Sequence, residues 1–247
     1  MSEKQADTKT VIRNPIQVIL VVLLVAAAFA IGSLWTKAKM LEKGSGAVSG
    51  GGAAVNQAAI QPNPPAEVKV DPVGDQDHVR GDRGARIALI EYSDLECPFC
   101  KQFHQTARKV VDEYDGQVMW VYRHFPLDNL HPKADKEAEA AECAGDKFWE
   151  MTDKIFEVTP SNNGLNLDDL PGLAKEVGID QVKFQECLDS GKFTQHVKDD
   201  YQSGIRAGVT GTPGNILLDT KTGKTRVIPG AVPFEQVKQA IDIMIAS

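Results

Sequence analysis

Cysteine and histidine are scarce in this chain of 247 residues, with four of the former and five of the latter. No second Cys-x-x-Cys and no His-x-His accompanies the single Cys97-Pro98-Phe99-Cys100, so the ligand spacing of a finger or ribbon that closes a tetrahedral zinc site is missing. Excess positive charge is missing as well. Lysine and arginine number 27 against 34 acidic residues, and residues 44–247 hold 21 basic and 31 acidic side chains, a net of −10. A chain of that sign lacks the basic face that a phosphate backbone requires, which argues against nucleic acid as a partner. Hydrophobic content of 42 % and charged content of 25 % are ordinary for a folded chain, and the length suits one substantial domain plus extras.

What is present centres on Leu89-Ile90-Glu91-Tyr92-Ser93-Asp94-Leu95-Glu96-Cys97-Pro98-Phe99-Cys100. An apolar run from Arg86 to Tyr92 reads as a strand that passes through a short polar turn into a helix. Phe99, Phe103, Ala107, Val110 and Tyr114 recur at helical spacing and predict its apolar face. Pro98 fits the first turn, where a missing N–H costs nothing, and leaves Cys97 at the helix mouth. Unpaired N–H groups and the positive end of the helix dipole favour thiolate there, the attacking and leaving species in disulfide exchange. A four-residue loop is worth only about 2 kcal/mol as a staple, against about 4 for a loop of about 45 residues. Three other readings stay open: a structural disulfide, a zinc knuckle made with His104, and a pair of inert core thiols.

Ile16 to Trp35 carries no charge and only two clearly polar side chains, Gln17 and Ser33. Twenty helical residues span about 30 Å, the thickness of a bilayer's hydrocarbon core. We expect a tail over 1–15, a transmembrane anchor over 16–35 and a flexible Gly/Ala/Pro linker over 36–67. Cleavage of a signal peptide near Ala30, after Ala28-Phe29-Ala30, is the alternative. The domain then occupies 68–247. Val68 to Val70 is expected as a short edge strand, Gly74 to Gly84 as a loop and Gln117 to Phe125 as the next strand. A helical insertion is expected over about 134–207, followed by a hairpin from Ile216 to Ile228 and a last helix after Pro233.

Cys-x-x-Cys after a first strand, a helical insertion, and Gly211-Thr212-Pro213 ahead of a hairpin together resemble the DsbA-like branch of the thioredoxin superfamily. The resemblance implies a thioredoxin-like α/β fold, a mixed central sheet flanked by helices, with the insertion. It implies that Cys97 is the exposed nucleophile, Cys100 the buried resolving thiol and Pro213 a cis-proline. Thr212, Pro98 and Phe99 then meet the substrate peptide. Glu91, on the strand face of Ile87 and Leu89, is either a carboxylate at a strand end in water or the buried acid that the family places near the resolving thiol. Phe99 stands where the family's best-known oxidases carry histidine, and Gly214 stands where a bulkier residue is expected and widens the groove.

Cysteines in even number in an oxidising compartment imply pairing, so a Cys143–Cys187 structural disulfide is expected within the insertion. His104, His124 and His131 are read as surface or groove residues, and no metal or cofactor is assigned. The expected function is thiol-disulfide exchange that introduces disulfides into extracytoplasmic proteins. Its partners are cysteine-containing proteins and a membrane redox partner that resets Cys97 and Cys100. A reductase or isomerase kept reduced by such a partner is the alternative from the same fold. A tethered binding module or metal chaperone is the alternative outside enzymology.

Overall fold

The computed structural model describes residues 68–247. The expected tail, anchor and linker lie outside the described residues, and among the described ones no helix is long and apolar enough to cross a membrane.

The apolar run becomes β2 (Ile87–Ser93), every residue of which is buried. It is the middle of a five-stranded sheet ordered β1-β3-β2-β4-β5. β3 (Val118–His124) lies parallel to it on one side, and β4 (Gly214–Asp219) antiparallel on the other. β1 (His78–Arg80) and β5 (Thr225–Ile228) are the antiparallel edges. A parallel pair needs a crossover, which α1 (Pro98–Tyr114) supplies between β2 and β3. Alternation along β2 sends Ile87, Leu89 and Glu91 to one face and Ala88, Ile90 and Tyr92 to the other. Ile87 and Leu89 join a core with Phe103, Val110, Trp120 and Ile241, the last from α7 (Phe234–Ala246). Ala88, Ile90 and Tyr92 join a second core with Val121, Phe125 and Ile216.

The buried face of α1 runs through Cys100, Phe103, Ala107, Val110 and Tyr114. Phe99, expected on that face, is 61 % exposed. Cys100 stands three residues before Phe103 and takes the inward place, which turns its neighbour about 100° away.

The insertion comprises α2 (Ala134–Cys143), α3 (Phe148–Val158), α4 (Leu170–Glu176), α5 (Gln181–Ser190) and α6 (Thr194–Arg206). The Asp180 carboxylate caps α5 by accepting from the N–H groups of Val182 and Lys183. A disulfide joins Cys143 at the end of α2 to Cys187 on α5, with Cα atoms 5.8 Å apart. α6 lies so close to the second core that a Cβ on Gly204 would stand 2.6 Å from the Phe125 ring.

Val68 to Val70 is not a strand. Val68 is held instead by the Thr225 side chain, whose Oγ1 accepts from its N–H at 2.9 Å and donates to its carbonyl at 2.7 Å. The edge strand comes from within the expected loop, as His78–Arg80. Three residues are too few for alternation to show in the sequence.

Candidate active site

Cys97 is the N-cap of α1, in extended conformation, with Pro98 opening the helix behind it. Cys100 is wholly buried. The resemblance implied an exposed Cys97, but only 4 % of it reaches solvent. Thr212 lies against it, with the carbonyl oxygen 3.5 Å from Sγ, at the start of the cis Thr212–Pro213 bond. Cys97, Cys100, Thr212 and Pro213 therefore meet at one end of the sheet, with Pro98 and Phe99 exposed on the helix mouth above them.

The two thiols are electrostatically unequal. The Cys100 thiol donates to the Cys97 sulfur, Thr212 and the N–H groups of Cys100 and Phe99 assist, and together they outweigh burial to bring the Cys97 pKa down to about 6. Burial, then the hydrogen bond to Cys97 and the charges of Cys97 and Glu91, push Cys100 well above an ordinary thiol. At neutral pH the pair holds one proton, and Cys100 keeps it.

Glu91 is fully buried, between Tyr122 of β3 and Asn215 of β4. A carboxylate at a strand end in water is thereby overturned, because β2 is a central strand covered on both faces. Ser93 Oγ donates to Glu91 Oε1 at 2.7 Å, while Oε2 has no hydrogen-bond partner among the described residues. Burial raises its pKa to about 8, so it is mainly protonated at neutral pH.

Two acids of the polar turn, which sequence reasoning passed over, anchor the site. Asp94 accepts from the N–H groups of Glu96 and Leu127, each at 2.8 Å, and lies 2.9 Å from His131 Nδ1. Glu96 accepts from the N–H groups of Asn163, Gly164 and Leu165. Ser161, Asn162 and Asn163 have φ of 64°, 52° and 67°, a run of left-handed backbone that turns N–H groups toward one carboxylate. Glu137, buried beside Glu96, has its pKa raised to about 10 by burial and then by that neighbour. The signal available in the sequence was two acids, Asp94 and Glu96, placed between a strand and a redox motif.

Three other expectations change. His104 is turned from the cysteines toward Asp153, with Nε2 2.6 Å from Oδ1, which removes it from any zinc knuckle. His104, His124 and His131 are all buried rather than on the surface or in a groove. Gly214 does not widen the groove, because a Cβ there would stand 2.5 Å from Val209 Cγ1, which already fills that space. The Cys143–Cys187 pair lies in the insertion, apart from the redox motif.

A thioredoxin family model matches residues 74–242. The crystal structure of Pseudomonas aeruginosa DsbA2 superposes with a TM-score of 0.58 at 29 % identity, over 71 % of this chain and 97 % of that one. Oxidised BdbD from Bacillus subtilis superposes with a TM-score of 0.62 at 22 % identity, over 73 % of this chain and 99 % of that one, a likeness of fold alone. The chain belongs to the thioredoxin family, in its DsbA-like branch. This DsbA-like chain is also 38 % identical over 148 residues to the Na(+)/H(+) antiporter NhaA 1 of Salinispora arenicola, which covers 59 % of the chain. It spans only 22 % of that relative's length. With an N-capping cysteine, a buried partner thiol and a cis-proline side by side, the DsbA-like site is one for thiol-disulfide exchange.

Proposed function

We propose that the chain is a membrane-anchored thiol oxidase that introduces disulfides into extracytoplasmic proteins. The observation that carries this reading is the inequality of the two thiols: a sulfur that is stable as thiolate at the helix mouth is a good leaving group, which makes the Cys97–Cys100 disulfide a ready oxidant. A substrate thiolate attacks Cys97 Sγ of that disulfide, forms a mixed disulfide and expels the Cys100 thiolate. Cys100 then takes a proton, which the buried, mainly protonated Glu91 carboxyl relays. A second substrate thiolate attacks the substrate sulfur of the mixed disulfide and expels the Cys97 thiolate. The substrate has lost two electrons and the pair has gained them. A membrane redox partner withdraws those electrons again. The cis Thr212–Pro213 segment, with Pro98 and Phe99, lines the place for an extended substrate peptide.

The anchor and the extracytoplasmic side rest on the uncharged run Ile16 to Trp35 and on chemistry, since a cytosolic oxidase would be drained by the glutathione pool. Thiol trapping in intact cells tests the direction. A pair found mostly oxidised fits the oxidase. A pair found mostly reduced replaces it with the reductase or isomerase, a reading favoured by Phe99, which puts no cationic ring between the cysteines to steady the thiolate. A protease-accessibility assay that found the domain shielded in intact cells would overturn the placement.

A further inference from the structure

Away from the redox pair, three imidazoles converge on one carboxylate oxygen. His78 Nε2 and His124 Nε2 are each 2.9 Å from Glu142 Oε1, and His196 Nε2 is 3.5 Å from it. Hydrogen bonds to His78 and His124 already engage the two lone pairs of that oxygen, so His196 stands beside it as a third imidazole nitrogen. The ligand atoms of His78, Glu142 and His196 all lie within 4.8 Å of one another, whereas His124 reaches the same oxygen from outside that group. We propose that His78, Glu142 and His196 bind a divalent transition-metal cation of the zinc type, with His124 holding the carboxylate from behind.

Geometry and donor chemistry both support this. Bonds of about 2.0–2.1 Å in a tetrahedral zinc site put the ligand atoms about 3.3 Å apart, a spacing that the observed 2.9 and 3.5 Å bracket. The third spacing, between the His78 and His196 ligand atoms, lies within 4.8 Å, and the two rings would close it around the ion. Two imidazoles and one carboxylate suit zinc, where calcium and magnesium prefer oxygen alone. His78 and His196 are about a fifth exposed, at 23 % and 21 %, so water has access to a fourth position. Glu142 and His124 are buried, which fixes the anionic ligand and the donor behind it. The His78 ring is already oriented by stacking on Phe148, with centroids 3.4 Å apart and planes 1° from parallel. A metal-binding carboxylate held by an outer hydrogen bond is the usual arrangement around such ions, and His124 supplies it. Binding displaces any proton carried on the two ligand nitrogens.

The three ligands come from β1, α2 and α6. A cation there would clasp the sheet edge to both ends of the helical insertion. Glu142 immediately precedes Cys143, so the ion and the disulfide would fasten α2 from adjacent residues.

Titration of the full chain with Zn²⁺ tests the site, with Cys97 and Cys100 oxidised so that neither sulfur competes. One Zn²⁺ per chain is expected, and His78→Gln or His196→Gln should weaken binding by at least about tenfold, the scale known for disturbing a metal site's surroundings. Cys97→Ser with Cys100→Ser should bind as the parent does. Melting in EDTA checks that each histidine variant is folded. Zinc should raise the melting temperature of the parent and not of the variants. No stoichiometric zinc binding by the parent, or equal binding by folded His78→Gln and His196→Gln, overturns the proposal. Anomalous diffraction at the zinc edge from zinc-soaked parent crystals needs no variant: a peak bonded to the three side chains supports the site, and no peak there overturns it.

Discussion

The molecule holds two cysteine pairs, and their surroundings set them to opposite uses. Cys97 and Cys100 are separated by two residues and sit at a helix N-terminus beside a cis-proline, with one thiolate favoured and one thiol buried. Cys143 and Cys187 are 44 positions apart and bridge the C-terminal end of one helix of the insertion to the middle of another. Loop length makes the second pair the better staple, since a closed loop of about 45 residues is worth about 4 kcal/mol against about 2 for four residues. Helix position makes the first pair the better reagent. Sulfur chemistry is the same in both, so the difference lies in what each chain segment presents to the sulfur.

The sharpest way to break the contrast is Cys97→Ser, which should lower insulin reduction and peptide oxidation by roughly 1,000-fold or more, because a hydroxyl neither attacks nor leaves in disulfide exchange. Full activity would remove the redox role. Cys143→Ala with Cys187→Ala should do the reverse, lowering stability in denaturant by about 4 kcal/mol while exchange by Cys97 continues. Gly214→Ala probes the wall behind the cis-proline. Overlap with Val209 should cost about 1–3 kcal/mol, and Val209→Ala in the same chain should recover most of it.

Glu91→Gln gives the most pH-dependent effect. A carboxyl raised from 4.5 to about 8 in the folded chain leaves stability intact below pH 4.5, where both states are protonated. Above that the unfolded chain ionises first, so stability falls as pH rises and levels off beyond about 8. Denaturant midpoints should therefore shift in favour of Glu91→Gln between those values and hold a constant gap above them. A gap that did not change with pH would place Glu91 in a more polar setting than the buried strand.

The central strand, the helix after it and the ordering of Cys97, Pro98 and Cys100 were legible because they are local: a period of two, a period near 3.6, and a proline in a first turn. The face of α1 was misjudged by one residue, since Phe99 is the more hydrophobic side chain but Cys100 has the inward phase. Glu96 could not be read as a buried anchor, because its partners Asn163, Gly164 and Leu165 arrive from more than 60 residues away. The same holds for His78, Glu142 and His196, which no spacing rule joins. Gly214 looked like free space in the sequence, and only the fold brings Val209 against it.

Labelling of the reduced protein with iodoacetamide as a function of pH, with each cysteine resolved by mass spectrometry, tests most directly whether one thiol of the redox pair is held as thiolate while the other is held protonated. Cys97 should label with a midpoint at about 6, and Cys100 should remain unlabelled up to the ordinary thiol value of 9.0. The stability of the reduced protein relative to the oxidised should be greatest near 9.0 and decline as pH falls toward about 6, because in that window the folded chain holds a Cys97 thiolate that the unfolded chain holds as thiol, while above 9.0 the unfolded Cys100 ionises before the buried one and works against it. A Cys97 midpoint near 9.0, or labelling of Cys100 ahead of Cys97, would contradict the division of roles between them.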